Sequence, residues 1–347
     1  MKNTPLRLLA LAAAAALALS ACMPRAQSLA AREPEIQTIA TPAPSPTPAP
    51  TPGQGLGGWT FERTPEQQKY GSAGLLAWPC VLYSLYLDEP EGGAVWSEED
   101  IARSQQNLAL AVDWITEQAA GYGARARLYY GSDDLVAHLR YSAPFAGGEA
   151  ADEGQTFYAE MDKLCARLDT AELAESYGTT NIGFLVFLPV AGCSFTMVHY
   201  LEDGSSFYYE YSCLYKDNVF FPAGTFEMPA VYAHEILHLF GAPDLYEGSG
   251  DLYVTPELID YVTANWPDAI MYDTYNADGT PEYDSIPKSL CPLTAFRLGL
   301  CAGFPGAEQF PAVTQDPPGT YRLDPETDAA PFAEIGGGTA AAPVPAA

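Results

Sequence analysis

The residues best suited to do chemistry are His234, Glu235 and His238. Residues 230–240 are mostly good helix formers, and Pro229 suits the first turn of a helix. On a helix the two histidines lie four residues apart on one face, so both imidazoles can reach a single ion. Glu235 lies between them, where its carboxylate can reach a water on that ion without being a ligand. The pattern predicts a metal that activates water, with Glu235 as general base and then general acid.

The residues after this predicted helix supply a third ligand. Gly241 suits a left-handed turn by which a chain leaves a helix, and Asp244 follows three residues later. One carboxylate oxygen and two neutral imidazoles are suitable ligands for Zn²⁺ and leave a fourth position for water. Glu247 competes with Asp244 for this role, and a plain turn residue is the other interpretation of Asp244. We therefore expect Zn²⁺ as the cofactor.

Residues 234–246 read HExxHxxGxxD followed by Leu245 and Tyr246. This segment resembles the extended zinc motif of secreted bacterial immune inhibitor A-type metallopeptidases, and snapalysin-like peptidases share the Asp variant. Residues 266–272 contain Met271 and resemble the Met-turn that lies beneath the zinc site of metzincins. The other interpretation of Met271 is plain core filling. Residues 293–300 are similar to the helix with a Leu-Gly end that follows the Met-turn in the immune inhibitor A group.

The resemblance implies a metzincin-like zincin that acts as a zinc endopeptidase on extracellular proteins or peptides. It assigns the metal-binding and catalytic roles to His234, His238, Asp244 and Glu235. In several metzincins a tyrosine two residues after the Met stabilises the oxyanion, but this chain has Asp273 there. Tyr272 and Tyr275 flank that position and are the candidates for this role.

Two other functional classes compete with a peptidase. One is a catalytically inactive peptidase-fold lipoprotein that acts as a surface binding or scaffold protein; an intact Glu235 argues against it. The other is a metal-handling lipoprotein, which usually has His-rich tracts that this chain lacks. Serine hydrolase and nucleotide-binding motifs are absent as well. His138 and His199 stand alone and are expected in ordinary packing or surface roles.

The elements that must position these residues predict an α+β body. Strands are predicted at 81–87, 125–130 and 181–190, and helices at 97–120 and 157–168. A hairpin is expected from residues 194–201 and 207–214, and its free edge could pair with an extended peptide. We expect a mixed, twisted sheet backed by helices, a central zinc-binding helix, and a small, mostly irregular or helical C-terminal subdomain with the Met-turn.

The first 58 residues are predicted to lie outside this body. A basic start with Lys2 and Arg7 precedes an apolar run, residues 8–19, that is too short to span a bilayer. Small residues then precede Cys22, as in the lipobox of bacterial lipoproteins; an ordinary secretory signal is the alternative. We expect Cys22 to be acylated and to anchor the chain to the outer face of the bacterial membrane.

The chain is accordingly divided into four parts. Residues 1–21 form the signal peptide, and residues 22–58 form the lipidated end with a Pro-rich tether. Residues 59–306 form the catalytic domain, with an N-terminal part to residue 241 and a C-terminal part from residue 242. Residues 307–347 are expected to be an extended, flexible tail.

Composition limits the partners. Hydrophobic residues make up 48% of the 347 residues, which is enough for a substantial core and excludes a wholly disordered chain. The formal net charge of −28 repels phosphate backbones, so we expect no nucleic-acid partner. We expect protein or peptide substrates, membrane attachment through the N-terminal lipid, and a monomer.

Six cysteines follow Cys22. In an exported protein they permit up to three disulfides, and Cys193 with Cys213 is the favoured pair because the two flank the predicted hairpin. Cys291 and Cys301 could close a second, short loop, and buried thiols are the alternative for all six. Residues 274–285 do not match the ligand positions of an EF-hand loop, and a structural Ca²⁺ ion elsewhere stays an open alternative.

Overall fold

The computed structural model describes residues 37–38, 69–89, 93–140, 161, 163–165, 167–168, 170–201, 209–276 and 278–322. This part of the chain has an α+β fold with a mixed sheet. The predicted signal peptide, Cys22, nearly all of the predicted tether and the chain after Arg322 lie outside the described residues. Within the described ranges, no helix has both the length and the apolar character that a membrane span requires.

The sheet has seven strands, in the order β1-β4-β2-β5-β7-β6, with β3 paired to β2 off this path. Pairing is parallel among β2, β3, β4, β5 and β7, whereas β1 and β6 run antiparallel to their neighbours. The strands are β1 (Gln37–Thr38), β2 (Pro79–Asp88), β3 (Arg127–Tyr129), β4 (Val136–Arg140), β5 (Ile182–Gly192), β6 (Phe195–Met197) and β7 (Tyr211–Asn218). The continuous apolar runs of β2 and β5 fit a parallel sheet that is covered on both faces.

Five α-helices accompany the sheet in the described part. They are α1 (Glu98–Gly121), α2 (Ala171–Tyr177), α3 (Pro229–His238), α4 (Pro256–Asn265) and α5 (Pro292–Arg297). The predicted start of α1 is confirmed, because the Ser97 side chain accepts a hydrogen bond from the backbone N–H of Asp100 at 3.1 Å. The predicted helix at 157–168 falls largely outside the described residues, although residues 161, 163–165 and 167 are helical.

Apolar side chains cover both faces of the sheet. Along β2, Leu82 and Tyr86 belong to the cluster shared with α1 and α3, whereas Val81 and Leu85 belong to the cluster on the opposite face. All ten residues of α3 are buried. Asn107 of α1 donates a hydrogen bond at 2.8 Å to the backbone carbonyl of Glu227, just before α3. The predicted zinc-binding helix is therefore held within the core, where it packs against α1 and against β6 and β7 of the sheet.

The predicted pairing of the two hairpin strands is confirmed, but the predicted disulfide is not formed. All six cysteines of the described part are thiols. Phe195, not Cys193, lies opposite Cys213 in the antiparallel ladder. Cys213 is buried in the cluster on one face of the sheet, while Cys193 is exposed and lies before the start of β6. In this register Cys193 is two residues away from the position opposite Cys213.

Cys291 and Cys301 also form no disulfide. The Cys291 sulfur caps α5 by accepting a hydrogen bond from the backbone N–H of Thr294 at 3.5 Å. The thiol of Cys301 donates to the carbonyl of Gly303 at 3.2 Å. Each sulfur thus has a local backbone partner.

The packed body extends past the predicted boundary at residue 306. Two 3₁₀ turns, Ala307–Gln309 and Pro311–Thr314, follow that boundary, and the side chains of Val313 and Tyr321 are buried. Tyr321 also forms a parallel bridge with Tyr200, just after β6. Residues 307–322 are therefore part of the fold and not of a flexible tail. The sequence of this segment contains three prolines and no helical or strand pattern, so its contacts with distant residues could not be predicted.

Candidate metal centre

The end of α3 shows why the chain needs glycine there. Gly241 has a φ of 98°, in the left-handed region that the sequence predicts for the exit from the helix. A Cβ atom at this position would lie 2.4 Å from the Cα of Gly319. Both the backbone conformation and this close approach require glycine, and the resulting turn directs residues 242–246 back toward the histidines.

The two imidazoles of α3 converge through their Nε2 atoms, which lie 3.1 Å apart. Nδ1 of His234 donates to the carbonyl of Ile270 at 3.0 Å, and Nδ1 of His238 donates to the carbonyl of Ala242 at 2.7 Å. A carbonyl can only accept, so each Nδ1 carries a hydrogen, and each Nε2 faces the shared point. Such bonds to the second nitrogen fix the orientation of metal-binding histidines.

Asp244 completes this group. Its Oδ1 lies 3.0 Å from Nε2 of His234 and 3.3 Å from Nε2 of His238. Among the described residues these three are the one group of its kind, with ligand atoms all within 4.8 Å of one another. Glu247, the competing candidate, is exposed and does not belong to it. The group therefore contains the three predicted ligands, and Glu247 is not part of it.

The side chains of the group shift the pKa values of Asp244 and His234. Burial alone would raise the pKa of Asp244, but the adjacent rings of His238 and His234 hold it well below its usual range. Burial alone would lower the pKa of His234, whereas the Asp244 carboxylate raises it to about 9. Asp244 Oδ1 is buried against the two Nε2 atoms. Metal coordination would satisfy an oxygen that is otherwise costly to bury.

Glu235 is held beside the group by the sheet. Its Oε2 accepts a hydrogen bond from Thr196 of β6 at 2.7 Å, and its backbone carbonyl accepts one from Ser212 of β7 at 3.1 Å. Burial raises the pKa of Glu235, while the two histidines and Thr196 oppose that rise. A buried carboxylate with a raised pKa is better able to accept a proton near neutral pH.

Met271 is fully buried in the apolar cluster that contains α3. Its carbonyl accepts a hydrogen bond from Leu245 at 2.8 Å, and the preceding carbonyl, of Ile270, accepts the one from His234. The backbone carbonyls of residues 270 and 271 therefore bind both α3 and the loop that follows it. The sequence predicts Met271 near the site. The hydrogen bonds that these two carbonyls accept could not be predicted from residue types.

Tyr246 lies beside the group. It lines a cavity of about 150 Å³ together with His234, His238, Glu235 and Asp244. Burial, with Asp244 and Glu235 nearby, raises its pKa.

The two predicted tyrosines lie outside the residues that line this cavity. Tyr272 packs against the apolar cluster, and the Tyr275 ring lies 5.4 Å from that of Phe221. The sequence indicates Tyr246 only as part of the motif. Its position two residues after Asp244 is a signal that could have placed it beside the site.

The two remaining histidines of the described part take other partners. His138 Nε2 of β4 lies 2.9 Å from Oδ2 of Asp88, the last residue of β2. The backbone N–H of His199 donates to Oε1 of Glu210 at 3.1 Å. The side-chain contact of His138 agrees with the packing role expected for it. No second group of three metal-ligating side chains occurs in the described part, and the calcium ion stays a prediction.

Compared with known protein families, curated proteins and solved structures, the chain has no match.

Proposed function

We propose that the protein is a zinc-dependent endopeptidase with a metzincin-like catalytic domain. The observation that carries this proposal is the convergence of His234 Nε2, His238 Nε2 and Asp244 Oδ1 beside the carboxylate of Glu235. A site that served only to stabilise the fold would have no use for a base beside an open coordination position.

The residues present fit a zinc ion. Two imidazoles with oriented Nδ1 hydrogens and one buried carboxylate oxygen form a three-ligand set with a cavity beside it. Catalytic zinc sites have three protein ligands and an open position. Bound Zn²⁺ would polarise the scissile carbonyl and lower the pKa of a water to about 7.

Side chains of the protein would carry out the proton transfer, orient the base and stabilise the negative charge. Glu235 takes a proton from the attacking water and returns it to the leaving amine. Thr196 keeps the Glu235 carboxylate oriented through the 2.7 Å hydrogen bond. Tyr246 lies at the cavity wall, where its hydroxyl can donate to the carbonyl oxygen as negative charge develops on it.

An extended substrate could pair with β6. This strand is last in the sheet order, so one of its edges is not covered by another strand of the described sheet. Phe195 and Thr196 of β6 also line the cavity. Backbone pairing with a strand edge fixes the register of a peptide without requiring particular side chains. A proline substitution at Phe195 that left peptide cleavage unchanged would contradict this step.

The remaining parts of the proposal concern location and partners. Acylation of Cys22 would attach the protein to the outer face of the membrane, and its substrates would be extracellular proteins or peptides. We propose that it acts as a monomer and binds no nucleic acid. The competing proposal, a surface binding protein without turnover, would keep the metal but would not need Glu235.

The test is cleavage of an unbiased peptide library by the full chain with zinc, compared with Glu235→Gln and with Glu247→Gln as the matched control. Cleavage that a chelator stops, that Glu235→Gln abolishes and that Glu247→Gln preserves would support the peptidase. A folded, zinc-loaded protein that cleaves no peptide would favour the binding protein. Cleavage that survives Glu235→Gln would show that the mechanism is wrong.

A further inference from the structure

The C-terminal segment, residues 316–322, packs against the metal-binding loop instead of leaving the body. The Arg297 guanidinium donates to the carbonyl of Thr320 at 2.6 Å, and Leu201 donates to the carbonyl of Tyr321 at 2.8 Å. Arg322 also makes a bidentate pair with Asp316, with both N–O distances 2.6 Å. Contacts with Arg297 and Leu201 therefore fix this segment in place, and the Arg322–Asp316 pair stabilises it from within.

The segment directs the Tyr321 hydroxyl to the backbone around His238. That oxygen lies 2.6 Å from the carbonyl oxygen of Ala242 and 2.7 Å from that of His238. Its single hydrogen is therefore shared between two carbonyls. Tyr321 is 5% exposed, so water does not replace this donor easily.

The carbonyl of Ala242 connects Tyr321 to the metal ligand. The same oxygen accepts the hydrogen bond from Nδ1 of His238 at 2.7 Å. A carbonyl oxygen has two lone pairs, and here His238 and Tyr321 each occupy one. Tyr321 thus fixes the direction in which this carbonyl points, and the carbonyl in turn fixes the ring of His238.

We propose that Tyr321 is a positioning residue of the metal centre, and that the C-terminal segment is a functional part of the site. This inference rests on the metal site of the proposed function. Groups that orient a metal-binding histidine typically change metal affinity about 10–100-fold when they are removed. The alternative is that Tyr321 only fills space beside Tyr200, whose ring centroid lies 6.1 Å away.

Tyr321→Phe separates the two roles, because it keeps the ring and removes only the hydroxyl. The measurement is Zn²⁺ affinity of the full chain, by competition with a chromophoric chelator. Tyr122→Phe is the matched control, since its hydroxyl donates to the carbonyl of Leu290 at 2.8 Å, away from the cavity. We expect Zn²⁺ to bind about 10–100-fold more weakly to Tyr321→Phe, and with wild-type affinity to Tyr122→Phe.

The free energy of unfolding of the metal-free proteins provides the second measurement. A packing role predicts that both variants lose stability while neither changes Zn²⁺ affinity, and this result would overturn the inference. Asp316→Asn is a further variant that loosens the segment without altering Tyr321, and we expect it to weaken Zn²⁺ binding to a smaller extent. Unchanged affinity in both Asp316→Asn and Tyr321→Phe would also overturn the inference.

The two proposals can fail separately. A folded wild-type protein that binds no stoichiometric Zn²⁺ would overturn the proposed function together with this inference. Wild-type binding that Tyr321→Phe leaves intact would overturn this inference alone.

Discussion

Oδ1 of Asp244 lies 3.0 Å from Nε2 of His234, although ten residues separate the two in sequence. The approach depends on the left-handed turn at Gly241, which reverses the chain after α3. The same oxygen lies 3.3 Å from Nε2 of His238. Under the proposed function, a zinc ion would bind at the point toward which both imidazoles face.

Asp244 and Glu247 therefore provide a paired test of the third ligand. We expect Asp244→Ala to lose stoichiometric zinc, because two imidazoles alone leave the site incomplete. Glu247→Ala should retain zinc, since this side chain is exposed. Elemental analysis after dialysis at neutral pH measures both. Retention of zinc by Asp244→Ala together with its loss from Glu247→Ala would reverse the assignment.

Tyr246 is expected to contribute to turnover more than Tyr272 or Tyr275. Its hydroxyl lies at the wall of the cavity that contains the metal-binding group, whereas the other two tyrosines lie outside that lining. We expect Tyr246→Phe to lower kcat by roughly 10²–10³-fold, the usual effect of removing one donor to a developing oxyanion. Steady-state kinetics on a peptide identified from the library measures this loss.

The phenylalanine variants of the other two tyrosines are the matched controls. Tyr272→Phe and Tyr275→Phe should keep kcat within a few-fold of wild type. Zinc content must be measured for all three variants, because Tyr246 lines the same cavity as Asp244. A fall in kcat of Tyr246→Phe that is matched by a loss of zinc would contradict a direct role in turnover.

The sequence predicted those parts of the site that depend on local spacing. His234, Glu235 and His238 follow from helical periodicity, and Asp244 follows from a short turn after a glycine. The start of α1 was predictable for the same reason, since a cap and its first turn are adjacent in sequence. A motif within about a dozen residues contains most of the information about its own geometry.

Features that depend on strand register or distant contacts were not predictable. The Cys193–Cys213 pair was inferred from hairpin spacing, but a shift in register places Phe195 opposite Cys213. Tyr321 gave no signal, because its partner Ala242 lies 79 residues away in sequence. No periodicity identifies such a contact.

Thr196 is expected to tune the general base. Its hydroxyl donates to Oε2 of Glu235 at 2.7 Å and thereby opposes the rise in the pKa of Glu235 that burial causes. Hydrogen bonds to charged groups contribute about 1.5–3 kcal/mol, so we expect Thr196→Val to lower kcat/KM at neutral pH by about 10-fold or more. The acid limb of the pH–rate profile should move to higher pH.

Thr196→Ser keeps the hydroxyl and is the matched control for that prediction. We expect it to retain the wild-type pH profile, although the lost methyl group can lower stability slightly. An acid limb that does not move in Thr196→Val would show that this hydrogen bond has no influence on the base.

Glu210 is expected to make stability depend on pH. Burial raises the pKa of this carboxyl group to about 8, even though the backbone N–H groups of His199 and Ala73 donate to it at 3.1 Å. The unfolded chain releases this proton near pH 4.5, so the folded state binds more protons between pH 4.5 and 8. The free energy of unfolding should therefore fall as pH rises through that window.

Glu210→Gln removes the titration while keeping the shape of the side chain. We expect the decline between pH 5 and 8 to be shallower in Glu210→Gln than in wild type, as measured by urea unfolding at several pH values. Glu227, whose pKa burial raises to about 7, is present in both proteins, so the difference between the two slopes isolates Glu210. Glu99→Gln, at an exposed position, should keep the wild-type slope. Equal slopes in wild type and Glu210→Gln would mean that Glu210 is ionised in the folded protein throughout this range.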